Sequence, residues 1–160
     1  MSPKSGSRSP WRSVGLAAAL GIAGIILAIQ AVPVNRENPP GENDIAAPPA
    51  VASILRRACY DCHSNETRWP WYSHVAPISW LIARDVAIGR DEMNFSEWGT
   101  YYPATRRRKL KWMERALREE KMPLWSYRLM HPDARITETD RAMLEKWIEE
   151  TLSEPGNESK

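Results

Sequence analysis

The chain has 160 residues, with 22 basic and 20 acidic side chains and a formal net charge of +2. That length suits one domain of roughly 100–200 residues plus accessory segments. Lys4, Arg8 and Arg12 precede a long uncharged stretch, and the 19 basic residues that remain balance 20 acids. The folded part therefore lacks the basic face that a nucleic-acid binder needs. Two cysteines three residues apart exclude a small disulfide framework. Eight tryptophans against one phenylalanine would suit a short chain built around a flat apolar group.

No charge occurs between Ser13 and Asn35, and Val14 to Val32 is mostly Ala, Leu, Ile and Gly. A helix of that length, at about 1.5 Å per residue, nearly spans a hydrocarbon core of about 30 Å. Trp11 stands at the interface position, and the basic flank should stay in the cytoplasm. We read residues 13–32 as an uncleaved transmembrane signal anchor behind a short cytoplasmic tail, residues 1–12. A cleaved signal peptide is the alternative, but its apolar region is shorter, about 7–15 residues. Ile29-Gln30-Ala31 is also a poor small-x-small cleavage site. Either way the rest of the chain is expected to be exported across the membrane. Residues 33–49 hold five prolines and no apolar period. They predict an extended linker that lifts the following domain off the membrane.

Residues 50–152 read as a small all-α domain, with residues 153–160 as a disordered tail. Val51, Ile54, Leu55 and Ala58 recur at helical spacing and run into Cys59. Ile78, Leu81, Ile82 and Val86 predict a second stripe ending near Gly89. Ala104 to Lys121 is helix-forming, with Leu110, Met113 and Leu117 on one face. Arg106 to Lys109 at its start oppose the helix dipole and read as a solvated face or a docking patch. Thr137 and Asp140 resemble a capping box ahead of Met143, Leu144, Trp147, Ile148 and Leu152. No alternating strand pattern of useful length is present.

The segment C-Y-D-C-H carries the chemistry. C-x-x-C-H is the attachment signature of haem c. Two thiols at this spacing can each add to one haem vinyl group, and the next residue then faces the iron. Cys59 and Cys62 are thus the candidate covalent haem ligands, and His63 is the candidate proximal iron ligand. A zinc site would need Cys59, Cys62 and two of His63, His74 and His131. A Cys-x-x-Cys redox pair would need a βαβ scaffold, which the pattern lacks.

The sixth ligand has several candidates. Met122 precedes Pro123 in a loop ahead of the last helix, 59 residues beyond His63. Pro123 fixes its own φ and has no amide donor, which stiffens that loop. His131 and His74 are alternatives, as is an open position. Met93 and Met130 read as ordinary core or loop residues.

The chain resembles the bacterial haem-binding domain family, exported proteins with one C-x-x-C-H. The resemblance covers about residues 34–152. It rests on C-Y-D-C-H-S-N-E-T at 59–67, W-P-W-Y at 69–72, A-P-I-S-W at 76–80 and D-V-A-I-G-R at 85–90. It continues with N-F-S-E-W at 94–98, M-P-L-W-S-Y at 122–127 and H-P-D-A-R-I at 131–136. It implies haem binding through Cys59, Cys62 and His63 and, less directly, a role for Met122. It supplies no reaction. Trp69, Trp71, Tyr72 and Trp80 are expected around the macrocycle or closing the core. Asn94, Phe95, Ser96 and Trp98 look like a structured turn. Asp85 and Arg90 would pair with each other or with the propionates, for which Arg68 and Arg84 are equal candidates.

Three functions follow as expectations. The first is electron transfer by a membrane-tethered mono-haem cytochrome with redox partner proteins in the periplasm or membrane. The second is a peroxidase-like enzyme with an open distal side, using His74 and Arg68 if folding brings them together. The third is a haem-based gas or redox sensor. The sixth ligand discriminates among them.

Overall fold

The computed structural model describes residues 10–154. Lys4 and Arg8, most of the expected cytoplasmic tail and residues 155–160 of the expected C-terminal tail lie outside these residues. The described residues form seven α-helices and three short 3-10 turns, with no strand. The chain is all-α, as the sequence pattern predicts.

Helix α1 (Pro10–Gln30) holds an apolar span, Trp11–Gln30, of mean hydropathy 2.1 in which no residue is buried. It is long and apolar enough to cross a membrane, at about 1.5 Å per residue over a core of about 30 Å. A membrane anchor and a signal sequence both have this form.

Three helices build the core. Helix α2 (Pro49–Ala58) starts on a proline, whose fixed φ suits the first helical position. It buries Val51, Ile54, Leu55 and Ala58, the stripe that periodicity predicts. Helix α5 (Pro103–Arg118) buries Leu110, Met113 and Leu117. Helix α7 (Glu138–Ser153) opens with the predicted capping box, in which the Thr137 hydroxyl and the Asp140 carboxylate each accept from the other's backbone N–H. It buries Leu144, Trp147 and Ile148. Helix α7 packs against α5 and α2, and Phe95 fills the space between them, fully buried. Burying each such side chain contributes about 1.5–3 kcal/mol.

The short helix α3 (Tyr60–His63) follows α2 directly and packs against α4 (Ile78–Glu92). Here the structure corrects the predicted stripe. Helix α4 runs past Gly89, and its buried residues are Ser79, Val86 and Gly89, while Ile78 and Leu81 are exposed. The reason is a close approach: a Cβ at Gly89 would stand 2.5 Å from the Cys62 carbonyl oxygen. Val86 of the predicted stripe does face inward, beside the small residues Ser79 and Gly89.

Residues 33–48 are extended but do not hang free. The Ile45 N–H donates to the Phe95 carbonyl (3.0 Å), the Gly99 N–H to the Asn43 carbonyl (2.9 Å), and Ile45 enters the core. Arg90 donates to the Glu37 carbonyl and to Asn38 Oδ1, both at 2.8 Å, and to Ser64 and Thr67. The expected spacer is thus a strap laid along the domain. Proline keeps it extended, and pairing satisfies the backbone groups it brings to the surface. The basic run is likewise engaged. Arg106 donates to the Tyr101 and Gly99 carbonyls, Arg107 to that of Leu152, and Lys109 to that of Glu92.

Candidate functional site

The C-Y-D-C-H segment is one tight turn. The Cys59 carbonyl accepts from the backbone N–H of Cys62 (3.1 Å) and of His63 (2.9 Å). That turn brings Cys59, Cys62 and His63 onto the wall of one cavity of about 350 Å³. Leu55, Ile88, Phe95, Trp112 and Leu117 make much of the remaining wall. Burial, the dominant cause, pushes both thiols up to about 12, and neighbouring charge adds to it. Both thus stay as neutral thiols at neutral pH.

His63 Nδ1 lies 2.8 Å from the Gly89 carbonyl and 3.0 Å from that of Met93. Both partners only accept, so Nδ1 carries the proton and Nε2 keeps its lone pair. Burial, partly opposed by these bonds, lowers the imidazole's pKa and favours the neutral ring. A ring held through one nitrogen with the other free is the form a metal-binding histidine takes. Gly89 therefore serves twice: its missing side chain admits the Cys62 carbonyl, and its own carbonyl orients His63.

A buried polar network backs this turn. Asn94 Nδ2 donates to Asn65 Oδ1 (2.8 Å), the Asn65 N–H to Ser96 Oγ (3.0 Å) and the Ser96 N–H to Asn94 Oδ1 (3.1 Å). The predicted turn at 94–98 is thus a 3-10 segment, Phe95–Thr100, whose polar residues fasten the chain just after His63.

Met122 reaches the same cavity from another element. Helix α5 ends in a Schellman turn: the Lys121 N–H donates to the Ala116 carbonyl (3.0 Å), the Glu120 N–H to that of Leu117 (3.1 Å), and Glu120 takes φ 51°. The chain then passes through Met122, Pro123 and Leu124, all lining the cavity, into α6 (Trp125–Met130). Tyr127 of α6 also lines it and donates to Asp61 Oδ2 at 2.7 Å. Asp61 stands between the two cysteines, is buried, and also accepts from the backbone N–H and Nε of Arg68. The Met122 segment is thereby pinned to the C-Y-D-C-H turn.

Other expected residues lie elsewhere. His74 is exposed and does not line the cavity; His131 stacks on Tyr127 with centroids 4.2 Å apart and meets the Tyr72 hydroxyl through Nε2 at 2.7 Å. Of the three histidines only His63 stands with the thiols, so a zinc set of two thiols and two histidines is not assembled. Trp69, Trp71, Tyr72 and Trp80 do not line the cavity either, and Trp71 and Trp80 are exposed. Arg68 is held by Asp61 and Arg90 by the strap. The charged residues on the cavity wall are Asp85, Glu92 and Lys109. Sequence reasoning missed Gly89, Met93 and Lys109; only the glycine carried a signal, as a residue without a side chain inside a helix.

This donor set fits haem. Two thiols, an imidazole with a free Nε2 and a thioether share one apolar cavity in an all-helical domain behind an apolar helix, which defines a class of small haem-binding helical domains. The sequence profile of the haem-binding domain family matches residues 24–150, and the chain belongs to that family. Comparison with curated proteins and with solved structures finds no match.

Proposed function

We propose that the chain is a membrane-anchored c-type haem protein that transfers electrons. The observation that carries this is the convergence of Cys59, Cys62, His63 and Met122 on one apolar cavity, with His63 Nδ1 fixed by two carbonyls. The two thiols would hold haem through thioether bonds, His63 Nε2 and the Met122 sulfur would bind its iron, and the apolar wall would exclude water. Bound haem iron supplies a one-electron couple, which a thioether ligand biases toward the reduced form. Tyr127 and Asp61 hold the Met122 segment in place. The basic flank of α1 would keep the N-terminus in the cytoplasm. The haem domain then faces the periplasm, and its partners are redox proteins there or in the membrane. A peroxidase-like reading has less support, because Arg68 is engaged with Asp61 and His74 lies away from the cavity.

The test is spectroscopic. Haem should stay on the polypeptide through acidified-acetone extraction, and both redox states should be low-spin and indifferent to carbon monoxide. Met122→Ala should lose the weak far-red methionine–iron band of the oxidised protein and begin to bind carbon monoxide. A parent protein without that band, or one that binds carbon monoxide readily, defeats the carrier assignment.

A further inference from the structure

The strap and α1 meet the domain at one place. Gln30, the last residue of α1, accepts from the Ala76 backbone N–H at 2.9 Å and donates to the Ala76 carbonyl at 3.3 Å. Arg36 donates to the Ser73 carbonyl at 3.2 Å. The end of the apolar helix is therefore bonded to the loop between the 3-10 segment Trp71–His74 and α4. That loop is flanked by large apolar side chains with no cover. Trp71 is 76% exposed, Leu81 58%, Ile78 46%, Val75 43% and Trp80 37%. A cluster of this kind on a soluble domain marks a contact surface.

We propose that this face, Trp71, Val75, Ile78, Trp80 and Leu81, sits in the lipid interface of the membrane that α1 crosses. The inference rests on the anchor reading of α1. A helix of about 30 Å places Gln30 at the outer edge of the hydrocarbon core. Residues hydrogen-bonded to Gln30 then lie at the same depth, where tryptophan partitions best and aliphatic side chains reach the acyl boundary. Trp11 at the opposite end of α1, 84% exposed, gives the matching belt. Two cations suit the headgroup layer. Arg36 is fixed beside the loop, and Arg84 is exposed one turn beyond Leu81 on α4. The inverted face of α4 also gains a cause: Ile78 and Leu81 are outward because lipid covers them. The domain thus rests on the bilayer.

The experiment uses the full chain in nanodiscs of equimolar phosphatidylethanolamine and phosphatidylglycerol. The photoreactive residue benzoylphenylalanine replaces, one at a time, Leu20 in α1, Val75, Leu81, and Lys146 on the exposed face of α7. After irradiation, mass spectrometry reads the peptides. The expected result is a mass gain of one phospholipid at positions 20, 75 and 81 and none at 146. Adducts at 20 with none at either 75 or 81 overturn the inference while α1 still spans the bilayer. Adducts at 146 equal to those at 81 overturn it too, since no face is then preferred. Absence of adducts at 20 overturns the anchor reading itself. Two probe positions in the patch guard against one replacement disturbing the fold.

Discussion

Gly89→Ala is the sharpest perturbation available, because its added methyl meets backbone. The new Cβ would stand 2.5 Å from the Cys62 carbonyl oxygen, 3.0 Å from its carbon and 3.1 Å from its Cβ. Neither partner can rotate away, so α4 must retreat from the C-Y-D-C-H turn. Forcing a methyl into a packed site costs about 1–3 kcal/mol. The retreat also stretches the His63 Nδ1 bond to the Gly89 carbonyl, now 2.8 Å, forfeiting about 1 kcal/mol. Alanine returns about 1 kcal/mol through its better helix propensity. The net expectation is a loss of about 2 kcal/mol, the propensity gain cancelling one of the two penalties. Guanidinium unfolding of the full chain in detergent, followed by tryptophan fluorescence, measures it. The contrast is Ala87→Gly, an exposed position of the same helix, where removing the methyl should cost about 1 kcal/mol through propensity alone. If Gly89→Ala is as stable as the parent, or more stable, the close approach is not what orders this helix.

Two further outcomes follow from the same wall. Tyr127→Phe removes the hydroxyl that donates to the buried Asp61 carboxylate. It should cost about 1.5–3 kcal/mol, a range typical of hydrogen bonds to charged groups, again measured as an unfolding midpoint. In a haem-free preparation the two thiols should make stability fall with alkali. Their pKa is raised from 9.0 to about 12 by burial, so the folded state holds protons that the unfolded state releases. That contribution is complete below pH 9.0 and is lost as pH rises toward about 12. The double variant Cys59→Ser and Cys62→Ser should show a flatter decline, and equal slopes would refute the assignment.

Helices α2, α5 and α7 were legible because each has one apolar stripe and one deep neighbour, so periodicity and burial coincide. The capping box at Thr137 and Asp140 was legible for a local reason, since all its atoms lie within one turn. Helix α4 misled because, of its predicted stripe, Val86 faces the core while Ile78 and Leu81 do not. The packing of α4 is set by the absence of a side chain at Gly89, which a hydrophobicity pattern does not weigh. The tryptophans of 69–80 misled similarly: large aromatics suggest a cofactor wall, yet that wall is made mainly of aliphatic, Phe95 and Trp112 side chains. The partners of Arg106, Arg107 and Lys109 are backbone carbonyls, which every residue carries and no sequence pattern marks. The thiols and His63 share one cavity wall for a local reason, since all three lie within a single turn.

The strap sets where the domain can be cut from its membrane helix. A soluble fragment starting at Ala50, the boundary that composition suggests, would strip the Ile45 side chain from the core. It would leave the Phe95 carbonyl and two Arg90 donors without their partners. A fragment starting just ahead of Arg36 keeps every one of these bonds and sheds the apolar helix with its Gln30 contact to Ala76. The self-sufficient unit is therefore longer than its helices, and its first dozen or so residues are structural in spite of having no secondary structure of their own.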